Sequence, residues 1–293
     1  MKTFGRVLTA MVTPFNDNFT VNYKVAADLA KYLIANGSDG LVVAGTTGES
    51  PTLSREEKLK LFEVVLDAVG DAVPVIAGTG SNDTRSSISL TQEAEKLGVH
   101  GAMVVGPYYN KPPQEGFYQH FKAIAESTKL PLIIYNVPGR TGSNILPSTI
   151  VRLAQIPNIV AVKEASGSLD QVSEIARTAP EGFMIYSGDD SLTLPILSVG
   201  GIGIISVAAH VAGLRMQRMI QSFFNGNVAT ASKIHQELLP FFKVIFITAN
   251  PILIKAATNM IGQNAGTVRL PLVGATYEEI NQLEKVMKQL GFV

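Results

Sequence analysis

Lys163 is the residue whose type and position most suggest chemistry. It ends the apolar run Ile159–Val162 in the segment NIVAVKEASG, and a short run rich in β-branched residues predicts a strand buried on both faces. Burial removes hydration from an ammonium group and lowers its pKa, so the neutral amine becomes a nucleophile that can form a Schiff base with a carbonyl compound. A salt-bridged or snorkelling lysine is the alternative. Consecutive strand residues face opposite ways, so we expect Glu164 to face the surrounding helices.

Other polar side chains end or follow neighbouring apolar runs. Tyr135 ends the preceding run, where its phenol could move a proton as a carbinolamine forms and collapses, or could simply be a core tyrosine. Arg140, in VPGRTG, could clamp a carboxylate or be a plain surface arginine. Thr46 and Thr47, in GTTGES, offer hydroxyls and backbone N–H groups that suit a carboxylate, although a glycine-rich turn can serve only as a turn.

The remaining candidate groups indicate little chemistry by themselves. Tyr108 and Tyr109, in PYYNKP, form an aromatic loop that could pack, line an interface or take part in a reaction. Asp189 and Asp190 are adjacent, and we expect them to cap the segment that follows. The four histidines show no ligand spacing, so no metal site is predicted. No phosphate-binding loop or GxSxG motif occurs.

Composition excludes several classes of protein. Lysine plus arginine and aspartate plus glutamate both number 24, so no excess charge favours nucleic acid. The absence of cysteine excludes disulfides, thiolate catalysis and sulfur-ligated metals. No window is apolar for long enough to cross a membrane, and the first residues do not have the pattern of a signal peptide. We therefore expect a cytoplasmic protein that binds neither nucleic acid nor membrane.

Eight short apolar runs recur along the first three quarters of the chain, with helical patterns between them. The first seven starts lie about 25 to 33 residues apart, which is the length of a βα unit, and the eighth follows after 18 residues. This alternation predicts a (β/α)8 TIM barrel. A doubly wound open sheet is the alternative, and the lack of a GxGxxG segment after any strand disfavours it. The runs are VLTAMV (from Val7), GLVVAG (from Gly40), VPVIAG (from Val73), GAMVVG (from Gly101), LPLIIYN (from Leu130), NIVAVK (from Asn158), FMIYSG (from Phe183) and GIGIISV (from Gly201).

The intervening segments carry helix signals. Ser54 followed by Glu57 forms a capping box, which predicts a helix start. After the eighth unit the remaining segments are helical in period, so we predict a barrel over residues 1–225 and a C-terminal helical domain over 226–293. Pro240 is expected to break or kink the first helix of that domain.

Several motifs taken together carry a family resemblance. They are AMVTPF, GTTGESPTL, VIAGTGSNDT, PYYNKPPQEG, YNVPGRTG, VAVKEASG, SGDD and GIISV, and they extend along nearly the whole chain. In combination they resemble the dihydrodipicolinate synthase family of pyruvate-dependent class I aldolases. The resemblance implies a Schiff-base condensation of pyruvate with L-aspartate 4-semialdehyde, on the route to diaminopimelate and lysine, without metal or cofactor. The product would be 4-hydroxy-tetrahydrodipicolinate.

The resemblance also implies roles for individual residues. Lys163 would bind pyruvate, and Tyr135 would donate and accept the proton, with Thr47 linking it to Tyr109 in a hydroxyl relay. Arg140 would hold the carboxylate of the semialdehyde. Because Tyr109 reaches the neighbouring subunit's site in this family, a homodimer or a homotetramer of two dimers is expected. The pyruvate pocket would be completed by Thr46, Thr47, Gly188 and Ile205.

One group of residues departs from the family pattern at the site where lysine inhibits some members. Ser50, Asn82 and Tyr108 match that site. Histidine or similar groups, and a glutamate, are common at other positions of the site, where this chain instead carries Pro51, Arg55, Lys58 and Ser86. Two cations would repel a cationic inhibitor, so we predict weak or absent inhibition by lysine.

Two other functions remain open at this point. Another pyruvate lyase, such as N-acetylneuraminate lyase or a 2-keto-3-deoxy sugar acid aldolase, shares the GxTGE segment and the Schiff-base lysine. Such enzymes generally lack an arginine at the position of Arg140, which favours the semialdehyde as the second substrate. A non-catalytic barrel that only binds a ligand is the second alternative.

Overall fold

The computed structural model describes residues 4–293. Within these residues, eight strands of four to six residues form a closed barrel in chain order, and the strands from β3 to β8 pair in parallel with their neighbours, as do β1 and β2. This is the TIM barrel predicted from the spacing, and each predicted apolar run coincides with one strand, although β6 extends one residue beyond its run to Glu164. The strands are β1 (Val7–Ala10), β2 (Gly40–Val43), β3 (Val75–Gly78), β4 (Gly101–Val105), β5 (Leu132–Asn136), β6 (Ile159–Glu164), β7 (Met184–Ser187) and β8 (Gly203–Ser206).

Helices separate the strands and continue beyond the last one, as predicted. Three of them follow the helix after β8, which confirms the C-terminal helical segments. The helices are α1 (Tyr23–Ala35), α2 (Arg55–Val69), α3 (Thr84–Leu97), α4 (Gln114–Glu126), α5 (Pro138–Thr141), α6 (Pro147–Leu153), α7 (Leu169–Thr178), α8 (Thr193–Ser198), α9 (Ala209–Phe224), α10 (Val228–Val244), α11 (Ile252–Met260) and α12 (Tyr277–Gln289).

The chain divides into two compact units. We call residues 74–205 the central unit, which contains β3 to β7 and most of β8. Residues 4–73 and 206–293 form the terminal unit, which contains β1, β2 and the helices from α9 onward. The domain boundary predicted between residues 225 and 226 stays a prediction.

Helix α2 begins where its capping signal predicts. The Ser54 hydroxyl accepts from the backbone N–H of Glu57 at 3.2 Å, and the Glu57 carboxylate accepts from the backbone N–H of Ser54 at 2.9 Å. Leu61 and Val65 are fully buried, so the helix packs its apolar face inward. The reciprocal cap satisfies two backbone donors that the first turn of a helix leaves without intrahelical partners.

Helix α10 does not break at Pro240, so of the two outcomes expected there, a break or a kink, the break does not occur. The helix runs from Val228 to Val244 with the proline inside it. A proline removes one backbone hydrogen bond, but buried side chains on both sides of it, including Leu238 and Phe241, stabilise the helix through packing. Tertiary contacts therefore outweigh the local helix-breaking tendency.

A second residue of low helix propensity, Gly213, has a packing function in α9. A Cβ atom at this position would lie 2.2 Å from the backbone oxygen of Asn36, at the end of α1. The two helices therefore approach too closely for any side chain at residue 213. The approach explains why a glycine stands in a helix interior, where it usually destabilises.

Candidate active site

Strand β6 places Lys163 in the barrel wall with its side chain almost fully buried. The side chain is 4% exposed, and every residue of the strand is buried. In the parallel register Lys163 lies between Tyr135 of β5 and Tyr186 of β7. Its Nζ atom is 4.3 Å from the ring centroid of Tyr135, within the range of a cation–π contact. The structure thus brings together the two residues predicted to share the proton chemistry.

The surroundings of Lys163 lower the pKa of its amine from 10.5 to about 7. Desolvation by burial is the largest cause, and the positive charge of Arg140 lowers the pKa further. The negative charge of Asp190 acts in the opposite direction and raises the pKa. Near neutral pH a large fraction of the amine is therefore unprotonated and nucleophilic.

Asp190 is a residue of the site that the sequence analysis missed. Its neighbour Asp189 does cap the next segment, since its carboxylate accepts from the backbone N–H of Ser191 at 2.8 Å. Asp190 instead is 2% exposed and influences Lys163 electrostatically. The expectation that both aspartates are caps was therefore wrong for Asp190. A signal was present in the sequence, because Asp190 follows β7 by three residues, at the end of the barrel where site residues gather.

Gly188 gives the Lys163 side chain its space. A Cβ atom at residue 188 would lie 2.7 Å from Cβ of Ala165 and 3.2 Å from Cε of Lys163. The backbone N–H of Gly188 also donates to the carbonyl of Glu164 at 2.8 Å, which ties the end of β7 to the end of β6. Only a glycine permits this approach without displacing the lysine.

Glu164 faces away from the amine, toward α7, as expected from the alternation of strand side chains. Its carboxylate accepts from Nδ2 of Asn136 at 3.1 Å, from Nε2 of Gln171 at 3.0 Å and from the backbone N–H of Ser166 at 2.7 Å. Gln171 lies on α7 and Asn136 ends β5. The buried carboxylate therefore cross-links two strand ends and a helix behind the site.

The loops of the central unit present the other predicted residues at different depths. Arg140 is exposed on the short helix α5, near enough to Lys163 for its charge to affect the amine. Tyr108 is half-buried, whereas Tyr109 is 89% exposed and has a left-handed φ of 70°. The backbone N–H of Asn110 donates to the carbonyl of Tyr108 at 2.8 Å, so Tyr109 is the centre of a strained γ-turn.

The two other predicted residues of the central unit differ in their surroundings. Ile205 lies on β8 and is fully buried. The backbone carbonyl of Asn82 accepts from Nδ2 of Asn110 at 2.9 Å, which joins the loop after β3 to the PYYN loop. The predicted roles of Ile205 in the pyruvate pocket and of Asn82 in a lysine site stay predictions.

The terminal unit carries the threonines of the GTTGES turn, which follows β2. Thr47 is buried, and its Oγ1 accepts from Nδ2 of Asn250 at 2.9 Å. Thr46 is half-buried, as is Ser50, which begins a short 3₁₀ helix. The partnership of Thr47 with Asn250 was missed from the sequence, because 203 positions separate the two residues.

Two classes of feature are missing from residues 4–293. Histidine, aspartate and glutamate side chains nowhere converge there in a group of three that could hold a metal ion. None of the helices in this part of the chain combines the length and the apolar character needed to cross a bilayer.

A family model decides which family the chain belongs to. The model of the dihydrodipicolinate synthetase family matches residues 3–290, which is nearly the whole sequence. The chain belongs to this family. It is 59% identical over 288 residues to the 4-hydroxy-tetrahydrodipicolinate synthase of Heliobacterium modesticaldum, and the match covers 98% of this chain and 96% of that protein.

Solved structures of the dihydrodipicolinate synthetase family have nearly the same fold as this chain. A dihydrodipicolinate synthase from Bacillus anthracis superposes with a TM-score of 0.97 at 51% identity, covering 98% of this chain and 99% of that one. The synthase of Cyanidioschyzon merolae, crystallised with lysine bound, gives a TM-score of 0.98 at 49% identity, and 99% of each chain is covered. These proteins thus share the fold of this chain and about half or more of its residues.

Proposed function

We propose that this chain catalyses the condensation of pyruvate with L-aspartate 4-semialdehyde to 4-hydroxy-tetrahydrodipicolinate, on the route to diaminopimelate and lysine. The observation that carries the proposal is a lysine in the barrel wall, 4% exposed, with a pKa of about 7 and a tyrosine ring 4.3 Å away. Membership of the dihydrodipicolinate synthetase family supports the choice of reaction. Because this is a step of amino-acid biosynthesis, we propose a cytoplasmic location.

Lys163 begins the reaction as a nucleophile. The unprotonated Nζ attacks the keto carbon of pyruvate to form a carbinolamine, and loss of water then gives the imine. Tyr135 is the proposed proton donor and acceptor in both steps, because it pairs with Lys163 in the strand register and its ring lies 4.3 Å from the amine. The family resemblance extends the proposal to a hydroxyl relay in which Thr47 links Tyr135 to Tyr109.

Arg140 acts in the second half of the proposed reaction, in which the semialdehyde reacts. Loss of a methyl proton converts the imine to an enamine, whose carbon attacks the aldehyde carbon of the semialdehyde while the aldehyde oxygen gains a proton. The amino group of the semialdehyde then replaces Lys163 at the imine carbon, which closes the ring and releases the lysine. We propose that the exposed guanidinium of Arg140 binds the semialdehyde carboxylate through paired hydrogen bonds.

The rest of the pocket is proposed from the family resemblance. Thr46 and Thr47 would offer backbone N–H groups and hydroxyls to the pyruvate carboxylate, with Gly188 and Ile205 forming part of the pocket wall. Fully buried Ile205 and the close approach of Gly188 to Lys163 support these two assignments. The proposed chemistry requires neither a metal nor a cofactor.

The proposal includes at least a homodimer, and pairing of two dimers into a tetramer. Tyr109 supports it, because its large aromatic side chain is 89% exposed and is held outward by a left-handed backbone. A strained backbone at a protruding residue indicates a role beyond local folding. In the proposed assembly Tyr109 completes the relay of the neighbouring subunit.

Reduction with borohydride in the presence of pyruvate tests the nucleophile. We expect a reduced pyruvate adduct on Lys163, located by mass mapping of peptides, and no adduct in Lys163→Met. An unmodified Lys163 in the wild-type protein would contradict the proposed function. Lys122, which forms an exposed ion pair on α4, serves as an internal control that should remain unmodified.

The second substrate is tested with Arg140→Ala. Loss of hydrogen bonds to a charged group should lower kcat/KM for the semialdehyde by about 10- to 100-fold, while the pyruvate adduct still forms. Arg177→Ala, which removes an exposed arginine from α7, is the matched control and should keep wild-type activity. Cleavage of sialic acid or of 2-keto-3-deoxy sugar acids at a higher rate than the condensation would instead support another pyruvate lyase.

A further inference from the structure

The turn that follows β2 is held in place by residues far away in the sequence. The turn has left-handed backbone at Ala44 (φ 53°) and at Glu49 (φ 58°), a conformation that non-glycine residues rarely adopt. The Thr13 hydroxyl donates to the carbonyl of Gly48 at 2.6 Å. Such a turn keeps its shape only if its surroundings stabilise it.

A buried ion pair supplies the first long-range restraint. The Glu49 carboxylate accepts from Nζ of Lys255 at 2.8 Å and from the backbone N–H of Arg269 at 2.9 Å, and the charged side chains of Glu49 and Lys255 are each 2% exposed. Lys255 also donates to the carbonyl of Thr267 at 2.6 Å, and its Nζ lies 4.0 Å from the ring centroid of Phe15. Separating the two charges would leave each of them buried and unpaired, so the pair restrains the position of Glu49 in the turn.

Asn250 supplies the second restraint, five positions before Lys255. Its side-chain amide donates to Oγ1 of Thr47 at 2.9 Å, and both side chains are buried. Since the threonine oxygen accepts this bond, its own hydroxyl hydrogen is directed away from Asn250. The segment 250–255 therefore holds the turn at two side chains, Thr47 and Glu49.

We propose that Asn250 is a positioning residue for catalysis, which fixes the direction of the Thr47 hydroxyl while the Glu49–Lys255 pair fixes the turn that carries it. The inference rests on the role proposed above for Thr47 in the hydroxyl relay. A threonine hydroxyl that accepts from an amide keeps its hydrogen available to donate to the next group of the relay. Asn250 itself acts only through Thr47.

Replacement of the amide by a carboxylate reverses the hydrogen bond. In Asn250→Asp the carboxylate can only accept, so the Thr47 hydroxyl must donate to it and is withdrawn from the relay. We expect kcat to fall by about 100-fold, and Asn250→Ala to lower kcat by about 10-fold because the hydroxyl is no longer oriented. Asn227→Asp makes the same substitution at the exposed cap of α10, where aspartate caps equally well, and should keep wild-type kcat.

A double-mutant cycle distinguishes positioning from a general structural role. If Asn250 acts through Thr47, Asn250→Ala should cause no further loss of kcat when Thr47→Val has already removed the hydroxyl. In a Thr47→Ser background, which keeps a hydroxyl, Asn250→Ala should lower kcat by as much as it does in the wild type. A loss of equal size in all three backgrounds would overturn the inference. The proposed function would still stand after that result, provided that the wild-type protein forms the pyruvate adduct on Lys163. Absence of the adduct in the wild type would overturn both.

Discussion

At the scale of single residues, the proposed chemistry depends on the burial of one amine, that of Lys163. Lys163 would be fully protonated at neutral pH if it were exposed, because its ordinary pKa is 10.5. Burial and the charge of Arg140 lower the pKa to about 7, against the opposing charge of Asp190. Asp190 therefore limits the decrease, and it keeps part of the amine protonated at neutral pH.

The pH dependence of adduct formation follows from this balance. In the proposed reaction the unprotonated amine is the nucleophile, so the rate of pyruvate adduct formation should rise with pH below about 7 and level off above it. Borohydride trapping at short reaction times over a series of pH values measures the rate. A rate that keeps increasing up to the ordinary lysine pKa would contradict the predicted shift.

Removal of the negative charge of Asp190 should change this pH dependence. In Asp190→Asn the carboxylate no longer raises the pKa of Lys163, so the pH at which the rate levels off should move downward. Asp170→Asn, on the first turn of α7, is the control and should leave the profile in place. An unchanged pH profile in Asp190→Asn would show that Asp190 does not affect the pKa of Lys163.

At the scale of elements, the end of β6 holds Lys163, and the contacts of neighbouring strand ends and of α7 fix the backbone around it. The end of β7 approaches the end of β6 through the hydrogen bond from Gly188 to the carbonyl of Glu164. Glu164 in turn binds side chains of β5 and α7. These contacts restrain the backbone next to Lys163, so the amine is presented by a rigid support.

A methyl group at residue 188 should disturb this support. In Gly188→Ala the new Cβ would meet Ala165 at 2.7 Å and Cε of Lys163 at 3.2 Å, so the lysine must shift. We expect the rate of adduct formation to fall by about 10- to 100-fold, because small displacements of a nucleophile are costly. Gly274→Ala is the control, since its Cβ would meet only Oγ1 of Thr267, at 3.6 Å. Equal rates for both variants would contradict the steric role of Gly188.

Helix α2 carries the prediction about regulation. Arg55 and Lys58 lie in its first turn, and Lys58 is half-buried, which lowers the pKa of its amine. Even a half-buried cation repels a cationic inhibitor bound close to it. Millimolar lysine should therefore leave most of the condensation activity, and Lys58→Gln should increase the inhibition. Nearly complete inhibition of the wild-type enzyme would show that the repulsion is too weak to matter.

At the scale of the whole molecule, the proposed assembly is tested by mixing inactive subunits. If Tyr109 acts in the neighbouring subunit's site, Lys163→Met and Tyr109→Ala subunits can form a mixed dimer with one intact site. Random mixing of equal amounts should recover about a quarter of wild-type activity. Lys163→Met mixed with Arg140→Ala is the control and should recover nothing beyond the residual activity of Arg140→Ala itself, because both residues are proposed to belong to the same subunit's site. Failure of the first mixture to recover activity, with mixed dimers present, would place Tyr109 in its own subunit's site.

Much of the fold was predictable because it depends on local periodicity. Buried parallel strands must be apolar on both faces and must end in turn residues, so the strand that carries Lys163 was visible in the letters NIVAVK. The capping box at Ser54 and Glu57 is equally local, since it joins residues three apart. The alternation of side chains along β6 likewise predicted that Glu164 would face the surrounding helices, and the structure shows it facing α7.

The sequence alone determined the order of strands and helices, the strand end at which Lys163, the proposed nucleophile, lies, and the family to which its motifs belong. Tertiary structure alone decided how far the lysine is buried, which charges act on it, and which distant side chains restrain the GTTGES turn. Asn250 and Lys255 are separated from their partners Thr47 and Glu49 by 203 and 206 positions. No periodicity specifies such pairs, because they depend on how the completed chain packs.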